Sequence, residues 1–175
     1  EQGIPIVGIE PSCLLTLRDE LLVLLPDEPR AQTIAENSFL FEEFMAQLIE
    51  QGALKLDFLA ATGKILLHGH CQQKALAGTE SSKQTLSVAG YSVEEVDSGC
   101  CGMAGSFGYE AEHYEISQAM GERRLLPAVR AAADDTIIVA SGVSCRQQIQ
   151  QATDRHPQHP AEVLHALYFS QTLPE

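Results

Sequence analysis

Cys100 and Cys101 stand side by side in the stretch VDSGCCGMAGSFGYE, residues 96–110, with glycines at 99, 102, 105 and 108. Thiolate sulfur is a soft ligand and prefers soft or borderline cations. Structural zinc is commonly held by Cys-x-x-Cys pairs, whose spacing lets two side chains reach one ion, and this chain has no such pair. Neighbouring residues of extended backbone point to opposite sides. Two adjacent cysteines therefore converge only if the chain turns sharply, and Gly99, Gly102 and Gly105 are the residues expected to shape that turn. A centre with several metal atoms accepts adjacent sulfurs more easily than one ion does, so GCCG leans toward an iron–sulfur site. The plain alternatives are a buried pair and a vicinal disulfide.

The other cysteines are Cys13, Cys71 and Cys145. An odd count of five, with no visible secretory leader, does not read as a disulfide framework. In a reducing compartment such cysteines are more often metal-binding, catalytic or buried, and a cytoplasmic location is the expectation. His68 and His70 flank Gly69 just before Cys71. They are candidates to ligate metal or to hydrogen-bond a sulfur, against the ordinary role of satisfying backbone groups at a strand end. His113 reads as an exposed helix residue, and His156 and His159 carry no assigned role. GMAGSFG has the look of a phosphate-cradling loop, but no Walker lysine follows.

Positioning these residues requires particular elements. IPIVGI (4–9), GKILLHGH (63–70), YSVEEVDSG (91–99) and DDTIIVASG (134–142) read as four strands. The segments between them read as helices: EPSCLLTLRDELLVLL, then AENSFLFEEFMAQLIEQG as one amphipathic helix, CQQKALAGTESSKQTLSVAG with a break near Gly78, residues 110–133 with a break at Pro127, SCRQQIQQA and AEVLHALYFSQ. Residues 26–33 read as a polar loop. Alternation of this kind predicts an α/β fold, a mostly parallel sheet flanked by helices on both faces. The apolar runs IPIVGI and TIIVA fit strands buried on both sides. Every cysteine follows a predicted strand within a few residues, so a parallel sheet would gather all five at one edge, where such sheets bind ligands. VGIEPSC (7–13) also lies over VASGVSC (139–145), a short internal repeat of strand, turn, Ser-Cys and helix.

The net charge of −13 disfavours nucleic acid and anionic membrane surfaces as partners. The apolar runs are too short to span a bilayer.

DSGCCGMAGSFG, with LHGHCQQKA before it and IVASGVSCRQQI after it, resembles the cysteine-rich CCG domain of heterodisulfide reductases and of the glycolate oxidase iron–sulfur subunit. CCGMAGSFGYEAEHYEISQAMGE is most similar to the C-terminal iron–sulfur segment of large FAD-linked D-2-hydroxyacid dehydrogenases. The resemblance implies an incomplete tandem repeat packed as a single domain: residues 1–25 as the tail of a first CCG unit, 26–59 as a connecting helical segment, and 60–175 as a complete unit with a C-terminal helix. It implies Cys71, Cys100, Cys101 and Cys145 as ligands of an iron–sulfur cluster of the 4Fe-4S type, and Cys13, the last cysteine of the first unit, as a further metal-site residue. The fullest family pattern ends in Cys-x-x-Cys, whereas Gly142 stands three before Cys145. The implied function is electron transfer within an oxidoreductase that acts on lactate, glycolate or 2-hydroxyglutarate. FAD would lie elsewhere in the protein or in a partner. Partners would be upstream flavin and ferredoxin-like domains or subunits and a quinone or other acceptor, with peripheral attachment to the inner membrane through them. The fragment alone is expected to be inactive. The rival readings are a zinc-stabilised interaction module and a disulfide-cleaving site.

Overall fold

Apolar side chains alternate along the central strand of the molecule, and each set finds its own helical cover. The strand is β3 (Lys64–His68), and it pairs in parallel with β4 (Ser92–Glu95) on one side and β5 (Ile137–Ala140) on the other. The structure is a computed structural model and describes residues 3–54 and 61–172. Leu66, Ile138 and Ala140 pack on one face with Leu125, Leu126 and Val129 of helix α8 (Leu125–Ala131) and Ile149 of α9 (Val143–Ala152). Ile65, Leu67 and Val139 pack on the other with Leu86 of α6 (Glu80–Val88) and Val163 and Leu164 of α10 (Pro160–Thr172). Met45 and Ile49 of α4 (Phe41–Glu50) lie against the same cluster. The fold is thus α/β with a parallel sheet covered on both faces. The remaining helices are α1 (Pro11–Leu15), α2 (Glu20–Leu24), α3 (Pro29–Glu36), α5 (Cys71–Leu76) and α7 (Tyr114–Glu122).

Four sequence expectations need correction. AENSFLFEEFMAQLIEQG is not one helix. Helix α3 begins at Pro29, inside the predicted loop, and closes at Asn37, whose side-chain amide donates to the Thr33 carbonyl at 2.8 Å. Ser38–Leu40 then forms strand β2, and Glu43 accepts from the Leu40 N–H at 2.9 Å to start α4. Capping groups at both ends of a three-residue strand override the helical periodicity of the phenylalanines. Second, IPIVGI is not a strand buried on both sides. Only Ile6–Gly8 is strand (β1), paired in parallel with β2 in a separate two-stranded sheet, and Ile6 and Val7 are about two-fifths exposed. The first long helix also splits into α1 and α2, and the break in 110–133 falls at Arg123–Arg124, with Pro127 inside the first turn of α8, where its missing N–H costs nothing. The expected connecting segment 26–59 can be followed to Leu54, since 55–60 lie outside the described residues.

One buried charge-bearing group ties the helical cover to the sheet edge. Glu42 is 1% exposed and accepts hydrogen bonds from Ser141, just beyond β5, and from Ser82 of α6. Burial raises its pKa above the ordinary 4.5, and those hydrogen bonds only partly oppose the shift. The native state therefore holds this proton more tightly than the unfolded chain does. The associated stability is full below about pH 4.5 and is lost as pH rises through the raised native value, at up to about 1.4 kcal/mol per pH unit. Glu42→Gln is expected to flatten that decline. Urea unfolding at pH 5 and pH 8 checks it: the variant should gain relative to wild type at the higher pH, and a constant difference would contradict it.

Candidate metal centre

Parallel pairing sends the ends of β3, β4 and β5 the same way, and the chain turns there into cysteines. Cys71 opens α5 after β3, Cys100 and Cys101 follow β4, and Cys145 lies in the first turn of α9 after β5. Their side chains form one row: Cys71 meets Cys100, Cys100 meets Cys101, and Cys101 meets Cys145. Cys101 and Cys145 are buried, Cys100 is half-buried and Cys71 is exposed, so the row runs from the core to the surface. A cavity of about 430 Å³ opens over it, lined by Ser12, His70, Cys71, Cys100, Cys101 and Tyr109 among others.

The row alternates electrostatically. Cys100 is held far below the ordinary thiol range by hydrogen bonds from the Cys101 thiol and then the Cys71 thiol, reinforced by the backbone N–H groups of Gly102 and Ala104. The Gly102 N–H lies 3.3 Å from Cys100 Sγ. Cys145 is also lowered, by Cys101 first and then by His68, against the penalty of burial. Cys101 and Cys71 are raised because they donate to these neighbours. Converging backbone N–H groups and thiolate character are what an anionic sulfur centre requires.

The CCG turn is made by residues 102–105. Gly102 has φ +106° and Gly105 φ +68°, and Ala104 adopts φ +40° between them. Gly99 is not in the left-handed region, and a Cβ there would meet nothing within 4 Å. Gly142, at the position where the fullest family pattern has cysteine, faces the centre. A Cβ on it would lie 3.3 Å from Cys145 Sγ and 2.5 Å from His70 Cδ2, so the His70 ring takes up the room a side chain there would need. His68 and His70 are both buried beside the row.

Cys13 is not brought into the row. It is exposed, on α1, which follows the separate two-stranded sheet, and among the described contacts none joins its thiol to the other four. The expectation of five cysteines along one sheet edge holds for four. Its helix is nonetheless pinned to the site. Glu10 accepts from Ser12 Oγ at 2.9 Å and from the Val143 N–H at 2.7 Å, so one carboxylate serves the starts of both α1 and α9. Gly142 has no side chain with which to cap α9, and the equivalent residue of the internal repeat does it instead.

Several supporting residues escaped the sequence reading. Gln148 is 1% exposed and its amide donates toward Cys101 O (3.2 Å), Ser117 O (3.2 Å) and Ser117 Oγ (3.1 Å). Its spacing of three from Cys145 puts both on one helical face, which was the available signal. Ser98 Oγ lies 2.9 Å from His68 Nδ1, and Lys74 Nζ donates to the Ser98 carbonyl. Arg146 clamps the end of β5 by donating to the carbonyls of Ala140 and Ser141.

The family model of the cysteine-rich CCG domain matches residues 65–150, which run from β3 through α9. Residues 65–150 belong to the CCG cysteine-rich domain family. The chain is similar to D-2-hydroxyglutarate dehydrogenase of Pseudomonas putida, with 30% identity over 164 residues, covering 93% of this chain and 15% of that protein. The Escherichia coli enzyme of the same name is 30% identical over 165 residues, with the same coverage. One subunit of the anaerobic glycerol-3-phosphate dehydrogenase of Escherichia coli is 26% identical over 164 residues, covering 93% of this chain and 40% of that protein. The chain thus spans well under half the length of these relatives. No solved structure matches it. Among the described residues no helix is long and apolar enough to cross a membrane.

Proposed function

We propose that this chain is the electron-transferring segment of a larger flavin-linked dehydrogenase that acts on a D-2-hydroxyacid, and that it carries an iron–sulfur cluster of the four-iron type. The observation that carries the reading is the single row of Cys71, Cys100, Cys101 and Cys145 at the sheet edge. The donor set fits such a group: four soft sulfurs, two of them already favoured as thiolates, and backbone N–H groups aimed at sulfur. The similarity to two dehydrogenases and to a dehydrogenase subunit supports the wider context.

Cys71, Cys100, Cys101 and Cys145 would hold the cluster, and the bound cluster supplies one-electron redox chemistry. The protein's own residues do the rest. The N–H groups of Gly102 and Ala104 stabilise negative charge on Cys100. Leu125, Leu126 and Met103 keep water from the inner end of the row. The exposed Cys71 end gives a short route to a partner at the surface. Flavin and ferredoxin-like domains or subunits would deliver electrons, and a quinone or other acceptor would take them.

Anaerobic reconstitution of the chain with iron and sulfide tests this. The expected product is brown, with about four irons per chain, and the colour should be absent from the Cys100→Ala/Cys101→Ala variant. The chain alone should not oxidise D-lactate, glycolate or D-2-hydroxyglutarate with an artificial dye. Colourless protein holding stoichiometric zinc would replace this reading with a structural metal module, and turnover of a heterodisulfide would replace it with thiol chemistry.

A further inference from the structure

His68 closes β3 at the inner end of the sulfur row and is 1% exposed. Its two ring nitrogens are treated differently. Nδ1 lies 2.9 Å from Ser98 Oγ. Ser98 Oγ also lies 3.5 Å from the Val96 carbonyl oxygen. When the ring hydrogen is on Nδ1 and donated to Ser98, Nε2 keeps its lone pair. Among the described residues Nε2 is buried without a nitrogen or oxygen partner, and the ring lies against the Cys145 sulfur. The ligand atoms offered by His68, Cys101 and Cys145 all lie within 4.8 Å of one another, and all three residues are buried.

A buried polar atom left unpaired costs free energy; His70 Nδ1 and His159 Nε2 are unpaired too, but among the described residues it is His68 that joins two sulfurs in a group tight enough to hold a metal. Here one nitrogen is held by Ser98, and the ring lies beside two sulfurs. The fixing group is itself held, since Lys74 Nζ donates to the Ser98 carbonyl and anchors the loop that carries Ser98. A metal-binding imidazole is typically oriented in this way, by a hydrogen bond from the ring nitrogen that does not bind metal.

We propose that His68 is a further ligand of this centre, which would offer a nitrogen donor beside Cys101 and Cys145, so that the donor set is four sulfurs and one nitrogen. The proposal rests on the iron–sulfur reading above.

The test is pulsed EPR on the reconstituted, dithionite-reduced chain with and without ¹⁵N-histidine labelling. The expected result is a nitrogen hyperfine coupling of directly bonded size that changes with the label. It should vanish in His68→Ala and persist in His165→Ala, which removes an exposed histidine of α10. A brown, paramagnetic wild-type chain with no label-sensitive coupling overturns the proposal while leaving the iron–sulfur reading intact. That result needs no variant, so a misfolded His68→Ala cannot obscure it. If the wild type forms no brown centre, the iron–sulfur reading fails, and cobalt(II) then reads His68 directly. Tetrahedral cobalt bands whose affinity drops about 100-fold in His68→Ala keep the ligand assignment, and equal affinity in the two proteins rejects it.

Discussion

Gly102→Ala should abolish metal loading and cost the fold about 3–5 kcal/mol, at the exceptional end for a single substitution. Two independent effects act at this position. Its φ of +106° is a conformation that side chains rarely adopt. A Cβ built there would also lie 2.1 Å from the Ser117 carbonyl oxygen and 3.0 Å from its carbon. Those are backbone atoms of α7, so no rotamer change relieves the clash. The loop has little freedom to withdraw, because the Gly102 N–H bonds Cys100 Sγ and Gln148 ties the Cys101 carbonyl to Ser117. Either the turn opens and carries Cys100 and Cys101 out of the row, or α7 shifts. Urea unfolding and iron content after reconstitution measure the two consequences. Gly99→Ala is the comparison: it meets no atom within 4 Å and should stay within about 0.5 kcal/mol of wild type. Wild-type stability and iron content in Gly102→Ala would show that the turn does not position the cysteines.

That contrast also marks where sequence reasoning reached the centre. Cys71, Cys100, Cys101 and Cys145 could be placed together because each follows a strand, and parallel strands end at one edge whatever the details of packing. Strands β3 and β5 were legible for a similar reason, since KILLH and IIVA are continuous apolar runs buried on both sides. The run IPIVGI carries the same local signal but lies in a two-stranded sheet with its apolar residues exposed. Burial there depends on what lies opposite, which composition does not encode. Ser38–Leu40 was hidden because the phenylalanines on either side have helical spacing. Which glycine bends the loop was equally illegible, because Gly99 and Gly102 flank the cysteines symmetrically in sequence, and only the folded chain gives Gly102 its positive φ and its place against Ser117. The pairing of Ser98 with His68 spans thirty residues and exists only once β3 and β4 are side by side.

Gln148→Leu carries the second large expectation: loss of about 2–3 kcal/mol and weaker iron retention, although all four sulfurs remain. Gln148 is on α9, one turn beyond Cys145, and its buried amide bridges the Cys101 carbonyl to Ser117 while its own oxygen accepts from Gln118 at 3.2 Å. An amide nitrogen has two hydrogens for these acceptors. Leucine fills a similar volume without donating, so the variant tests hydrogen bonding rather than packing. Each buried acceptor left unpaired costs about 1–3 kcal/mol, and the Cys101 carbonyl is the one that holds the cysteine pair in its turn. Gln148→Glu separates positioning from bulk. A neutral carboxylic acid can still donate one hydrogen bond to the Cys101 carbonyl, whereas the carboxylate would face carbonyl oxygens in a buried site. The native pKa of that new group would be raised above its unfolded value, so its stability and iron retention should be best in acid and fall as pH rises. Measured against wild type between pH 5 and pH 8, Gln148→Glu should lose ground steadily while Gln148→Leu holds a constant deficit. Parallel behaviour of the two variants would mean that Gln148 serves the core by volume alone and does not hold the cysteine loop.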